Sequence, residues 1–524
     1  MFIYYFYQHQ VTQFTTNDLL IKYFYVIIDG HKLTNLDINK LEDILNAQHY
    51  SLPPKHHHHQ YYEIASRAEM VSPWCSNVLT VLHRMGFKDI VRIEKSMLYP
   101  KELYYLENEN ENKNKKKLLF DPMTQQLCNH PDKNLNLHTL LFDKGNIDNT
   151  RIYTPNQLNI ANSELNLGFD VQDLNYYREV FAKRSYLTDT ELSDLAQSNS
   201  EHSRHWLFNG ILWDQEKNKY LSHSLFDLIK KPIKVNPRNS LIAMKDNSSA
   251  ILGTCVPHYR YNFITGSLEI ISLQSSIKGK WLHPILTAET HNFPTGIAPR
   301  PGSATGVGGR IRDIQAMGRG GQMIAGIGGY SVGNINIYES EDKLEYPLHT
   351  PSYTLIQASD GASDYGNKIG EPMIQGFCRS FGKILLRQGG ESLRSEYVKP
   401  IMFSAGVGQV FDEHLIKDYG QLGYLIVRLG GPAYRIGVGG GSASSHSQEV
   451  DGDEGEMMRL RTAVQRDNPE MENRLQKVLR TCVELGHLNP IISIHDQGAG
   501  GMGNVTKEII MDATPQDKWK LAVD

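Results

Sequence analysis

One arrangement occurs twice in this chain, and it limits the fold more than any other feature. In "PILTAETHN…TGVGGRIRD" and again in "PIISIHDQGAGGMGN", an apolar run of strand type ends on ionisable residues, passes into glycine and then enters a helix. The repetition predicts related sites built at strand ends, without establishing an internal duplication. A helix N-terminus behind a glycine turn is a place where anions bind, because its first N–H groups have no partner in the helix.

The longer copy spans residues 289–313, "ETHNFPTGIAPRPGSATGVGGRIRD". Its segment "GSATGVGG" (302–309) reads as a loop that can turn backbone N–H groups toward an anion, since glycine tolerates the required dihedrals. It matches neither GxxxxGK[ST] nor GxGxxG, which excludes a Walker-type phosphate loop and a dinucleotide fingerprint. Tight turns in a strand-rich core are the competing reading. The ends of the stretch favour chemistry. Glu289 and Asp313 are hard oxygen donors suited to Mg²⁺. His291 can act as a general base or polarise a carbonyl. Arg312 can fork a phosphate or carboxylate. Together on one glycine segment, these residues point to nucleotide chemistry rather than to surface ion pairs.

Other candidates lie on either side. "NSEHSRHWLFN" crowds Glu201, His202, Arg204 and His205 at one helix end, with His202 and His205 sharing a face at i, i+3. A capped, solvated helix end is the plain reading, and HxxH without a third ligand is a weak metal signal. "GGPAYRIGVGGGSASS" (430–445) is a second anion-cradle candidate. His495 and Asp496 end the second strand-type run, where a metal-bridged phosphate fits. Gln465 precedes a helix and either meets a ligand or stays a surface amide.

The rest of the chain divides by character. Residues 1–165 read as a small α/β module interrupted by the polar runs "KHHHHQ" (55–60) and "ENENENKNKKK" (107–117), both read as loop insertions. Within it, 76–87 has helical spacing with Gly86 as a cap, and 89–96 alternates like a strand. Residues 166–220 form a helical linker, with Thr188 and Thr190 as caps for "DTELSDLAQ". Residues 221–415 carry strands at "SLIAMKD", "LEIISLQ" and "HPILTAE" and a helix at "GEPMIQGFCRSFGKIL" (370–385). Residues 416–524 open with a strand at "GYLIVRLGG". They continue with the helix "PEMENRLQKVLRTCVEL", whose Leu475, Val478, Leu479, Cys482 and Val483 fall on one face. The strand "PIISIHD" and the helix "VTKEIIMDA" close the series. A chain of 524 residues, at roughly 100–200 per domain, holds about three or four such bodies.

Bulk properties exclude several classes. The net charge of −4 argues against a general nucleic-acid binder. Five dispersed cysteines without a CxxC argue against a disulfide framework or zinc ribbon and fit a reducing cytosol. No apolar run reaches ~18 residues, so no membrane span is expected. "MFIYYFYQHQ" lacks the features of a signal peptide. A cytoplasmic protein is expected.

Taken in order, "SPWCSN", "NSEHSRHW", "AETHNFPTGIAPRPGSATGVGGRIRD", "GRGG", "DYGNKIGEP", "GGPAYRIGVGGGSASS", "AVQRDNPEME" and "HDQGAGGMGN" resemble the phosphoribosylformylglycinamidine synthase family, in its large single-chain form. The resemblance implies an α/β (α+β) fold: an N-terminal α/β module, a helical linker, and a synthetase domain like that of aminoimidazole ribonucleotide synthetase. It implies ATP-dependent conversion of formylglycinamide ribonucleotide to the amidine through an iminophosphate, in purine biosynthesis. The ammonia comes from glutamine, and Mg²⁺ and ATP are required.

The resemblance also assigns roles. His202 and His291 correspond to catalytic residues. The nucleotide contacts fall on His205, Gly302, Ser303, Ala304, Thr305, Gly306, Val307, Gly308, Gly309, Arg310, Ile311, Arg312, Asp313 and His495. Substrate contacts fall on Thr290, Asn292, Arg312 and Gln465, and metal ligands on Glu289, Asp313 and Asp496. Two departures stand out. Thr287 occupies a position where relatives often carry Lys. The chain ends at Asp524, so the rest of the second synthetase subdomain, the second half of the synthetase repeat and the C-terminal glutaminase domain are expected to be missing. Two other classes remain open on sequence: an inactive fragment that binds nucleotide or other chains, and a metal-dependent hydrolase built on His202, His205 and His291.

Overall fold

The computed structural model describes residues 2–8, 21–50, 61–67, 71–100, 121, 123–128, 150–165, 167–200, 205–262, 264–271, 281–335, 348–386, 392–431, 436–437, 439–445, 460–498 and 500–511. The runs at 55–60 and 107–117 lie outside the described residues, as do Glu201, His202 and Arg204. The chain divides into two units, Met1–Asn149 and Thr150–Asp524.

Among the described residues, the first unit is an antiparallel sheet with two helices. Its strands are β1 (Phe2–Gln8), β2 (Ile21–Ile28), β3 (Gln48–Tyr50), β4 (Tyr61–Ser66), β5 (Ile90–Pro100) and β6 (Gln125–Cys128), in the order β3-β1-β2-β5-β4-β6. Helix α1 (Asn35–Leu45) starts at a reciprocal cap between Thr34 and Asp37. Helix α2 (Pro73–Arg84) starts at Ser72, whose hydroxyl accepts from the Cys75 N–H, and Pro73 occupies the first turn, where its missing N–H costs nothing. Gly86, at φ 101°, follows its last turn. Phe6, Phe24, Val26, Leu41, Cys75, Leu82 and Ile93 pack as one core. Burial there pushes the Cys75 thiol up to about 12.

The second unit opens with helices α3 (Leu158–Leu165), α4 (Val171–Val180) and α5 (Asp189–Asn199). Thr188, with Glu191 answering it, caps α5; Thr190 is not the cap. Helix α6 (Leu225–Val235) leads into the main sheet. That sheet runs β7 (Ser240–Ile242), β8 (Ser249–Ile251), β9 (Trp281–Thr290), β12 (Ile401–Phe411), β10 (Gln322–Val332), β11 (Met373–Ser380), with Thr254–Cys255 alongside β9. All neighbours are antiparallel except β10 and β11. Helices α7 (Asn292–Ile297), α8 (Pro299–Gln315) and α9 (Pro351–Ile369) follow strands of this sheet. Ala304, Val307 and Ile311 of α8 pack with Ala362, Tyr365 and Ile369 of α9 and Met402 of β12. Helices α10 (Pro469–Glu484) and α11 (Gly501–Met511) come last. Among the described residues no helix is long and apolar enough to cross a membrane.

Four sequence expectations change. The segment 302–309 is not a loop: it is the interior of α8, and most of it is buried. Its glycines serve close packing. A Cβ on Gly302 would fall 2.3 Å from the Pro294 carbonyl, and one on Gly308 2.7 Å from the Tyr365 ring. Residues 370–385 are not a helix. Gly370 ends α9 at φ 89°, and the chain then pairs in parallel with β10 as an edge strand. The stretches "GYLIVRLGG" and "PIISIHD" form no strand, because strand structure needs a ladder partner and none runs beside them among the described residues.

Candidate active site

Strand β9 is the first support of the site. Its alternation buries Ile285 beneath the sheet and brings Glu289 opposite Ser404 and Thr290 opposite Phe403 at its far end. Helix α8 is the second support. Gly309 faces the strand end: a Cβ there would lie 2.8 Å from Glu289 Oε1, so glycine makes the space that the carboxylate fills. Asp313 lies one turn further along the same face of the helix. The third support is the segment before α11, which carries His495 and Asp496. Segments 183 residues apart meet here: the Asn247 amide nitrogen donates to Asp313 Oδ1 at 3.1 Å and to Asp496 Oδ1 at 2.9 Å.

The electrostatics follow from this crowding. Burial and the Asp496 charge push Glu289 up to about 7, against the pull of Arg312 and Arg310. Burial, Asp496 and Glu289 push Asp313 up to about 8, relieved in part by Asn247 and Arg312. Carboxylates this close in a partly dry site hold their charge only if cations answer them. The donor set is all hard oxygen, which suits a divalent cation such as Mg²⁺. Among the described residues, no three acidic, imidazole or thiol side chains already surround a single ion position.

Arg312 is held by carboxylates. Nη1 donates to Glu472 Oε2 at 3.2 Å, and Nε lies 3.8 Å from Asp496 Oδ2. Glu472, from α10, also receives the Tyr365 hydroxyl. Arg310 has a different environment. It is fully buried, and its guanidinium grips both oxygens of the equally buried Glu371, one at 2.6 Å, while Nε donates to Ser404 at 3.3 Å. It braces α8 against the sheet.

His291 caps α7, and its backbone N–H donates to Met402 O. Its Nδ1 contacts the Gly302 carbonyl, which requires an Nδ1–H and leaves the lone pair of the neutral ring on Nε2. Asn292 Oδ1 accepts from Met402 N at 3.1 Å, so its amide anchors the strand end. Thr290 is exposed at the end of β9. Gln465 lies against Gly437, which takes φ 83°; a Cβ there would be 2.5 Å from Gln465 Cγ. His205 stands at φ 49° with its ring 5.6 Å from Phe226. His495 Nε2 lies 3.4 Å from Lys417 Nζ. Gly302, Ser303, Ala304, Thr305, Gly306, Val307 and Ile311 are buried in α8.

Sequence reasoning missed Asn247, Lys417, Glu371 and Glu472. "MKDNSSA" reads as a strand end, and an acid near a helix start, as in "PEMENR", reads as a favourable partner for the helix dipole. Only the tertiary structure gives these residues their partners.

An α/β domain that brings carboxylates together at a strand end, on a buried glycine-rich helix, offers oxygen donors of the kind a divalent cation takes. Comparison with known proteins narrows this. Residues 22–138 match the family model for the formylglycinamide ribonucleotide amidotransferase N-terminal domain, and 158–205 the linker domain of the same enzymes. Residues 421–514 match the AIR synthase related protein, C-terminal domain. The chain is 42% identical over 466 residues to a probable phosphoribosylformylglycinamidine synthase, chloroplastic/mitochondrial, of Arabidopsis thaliana, covering 86% of this chain and 31% of that one. It is 42% identical over 468 residues to the Dictyostelium discoideum synthase, covering 86% and 33%. The Homo sapiens synthase is 40% identical over 456 residues, covering 85% and 33%. A Thermotoga maritima PurL structure complexed with FGAR aligns at TM-score 0.41 and 21% identity, over 65% of this chain and 42% of that one.

The chain is therefore homologous, over most of its length, to the phosphoribosylformylglycinamidine synthase family. It spans about a third of the length of these curated relatives.

Proposed function

We propose that this chain supplies part of a synthetase that converts formylglycinamide ribonucleotide to its amidine with ATP and ammonia derived from glutamine. One observation carries the reading. Glu289, Asp313 and Asp496, from three separate segments, converge at the end of β9 beside Arg312 and His291. Homology to the synthases supports it.

Glu289, Asp313 and Asp496 would hold Mg²⁺, which when bound neutralises charge on a transferring phosphoryl group. In the reaction the glycinamide carbonyl oxygen takes the γ-phosphoryl group of ATP, giving an iminophosphate and ADP, while the formyl group is left intact. Ammonia then attacks the activated carbon and phosphate leaves with the former glycinamide oxygen. The nitrogen loses a proton as the amidine forms, and His291 Nε2 is the assigned acceptor, its tautomer set by the Gly302 carbonyl. Arg312, steadied by Glu472, offers positive charge beside the carboxylates. Thr290, Asn292 and Gln465 are assigned to the substrate; His205, the half-buried Gly309, Arg312 and Asp313 of the 302–313 stretch, and His495 to the nucleotide; His202 to catalysis. The free thiols of Cys75, Cys255, Cys378 and Cys482 suit a reducing compartment such as the cytosol.

The test is ADP release that depends on both ammonia and formylglycinamide ribonucleotide, in a chain joined to the remaining two thirds of its relatives' length. Glu289→Ala is expected to abolish turnover or to shift its Mg²⁺ requirement strongly. Full activity with unchanged Mg²⁺ dependence contradicts the assignment.

A further inference from the structure

We propose that Asn247, oriented by Lys417, is a positioning residue that sets the separation of Asp313 and Asp496 and so shapes the cation site. The inference rests on the reading of those carboxylates as divalent-cation ligands.

The geometry leaves the Asn247 amide one consistent arrangement. Its two N–H groups go to two carboxylates, Asp313 Oδ1 at 3.1 Å and Asp496 Oδ1 at 2.9 Å. Its carbonyl oxygen accepts from Lys417 Nζ at 3.0 Å. A flipped amide would turn its NH₂ against an ammonium and its oxygen against two carboxylates, so all three contacts reject the flip. Lys417 is fixed in turn. It pairs with Asp246 Oδ1 at 2.8 Å, and the two side chains are 12% and 6% exposed.

The neighbouring residues tie the same short segment to α8. Asp246 Oδ2 accepts from Gly318 N at 3.1 Å, and Ser248 Oγ donates to the Asp313 carbonyl at 3.0 Å. Asp246, Asn247 and Ser248 thus bind the end of α8, Lys417 and the Asp496 segment into one unit. Without the bridging amide, the two carboxyl groups lose the one donor that they share among the described residues. Partners of metal-binding side chains typically change metal affinity by about 10–100-fold when removed.

The experiment measures Mn²⁺ affinity of the 524-residue chain by electron paramagnetic resonance titration, with folding checked by circular dichroism. Asn247→Ala is expected to weaken Mn²⁺ binding about 10–100-fold. Lys417→Met is expected to weaken it in the same direction and Lys417→Arg to restore it, which keeps the proposal testable if Asn247→Ala does not fold. Glu289→Gln and Asp313→Asn serve as controls for the site itself. If the controls lose Mn²⁺ while Asn247→Ala and Lys417→Met bind it like the parent chain, the positioning role is overturned and the cation site stands. If the controls bind Mn²⁺ like the parent chain, the cation reading falls, and this inference with it.

Discussion

At the scale of single residues, the site depends on buried charges that are answered rather than avoided. Arg310 and Glu371 are both 0% exposed and paired through both guanidinium nitrogens. Removing one member leaves the other charged and dry. Arg310→Met is expected to cost about 3–5 kcal/mol in urea denaturation, whereas Arg310→Met with Glu371→Leu recovers most of that loss. A single variant no less stable than the double variant contradicts the pairing. The sequence showed Arg310 inside "GGRIRD" and offered no means of separating it from Arg312 two positions later. The difference is set by Glu371 and Glu472, 61 and 160 residues away. Glu289, His291 and Asp313 were legible because their chemistry and spacing are local. Asn247 was not, because its meaning lies in contacts with Asp313 and Asp496 that span up to 249 residues.

At the scale of elements, helix α8 sets packing against propensity. It places Gly302, Gly306, Gly308 and Gly309 inside one helix, although glycine costs about 1 kcal/mol relative to alanine at such positions. Propensity alone expects Gly302→Ala to stabilise. Packing expects the reverse, because the new Cβ would sit 2.3 Å from backbone atoms of Pro294. The expected result is a net loss of about 1–3 kcal/mol, read from the thermal midpoint and denaturant titration. A gain would mean that α8 has room to spare. A helix buried on nearly all sides shows no amphipathic stripe, so its period was invisible and its glycines read as a loop. The opposite error occurred at 370–385. Met373, Ile374, Phe377 and Phe381 fall at helical spacing, yet β10 offers a ladder and Gly370 stops α9 before them. Helices with one apolar face, such as α10, and strands with clear alternation, such as β5, are legible in the sequence.

At the scale of the whole molecule, the chain holds two units, and every residue of the carboxylate site lies in Thr150–Asp524. The reading of that unit as the cation-dependent nucleotide site of a synthetase reduces to one linkage. Nucleotide should bind because a divalent cation joins its phosphates to Glu289, Asp313 and Asp496. Isothermal titration of the 524-residue chain with ADP, with and without Mg²⁺, tests this most directly. ADP is expected to bind with Mg²⁺, to weaken at least tenfold when the cation is chelated, and to show the same loss in Glu289→Ala with Mg²⁺ present. Binding of equal strength without the cation, or unchanged by Glu289→Ala, would contradict it.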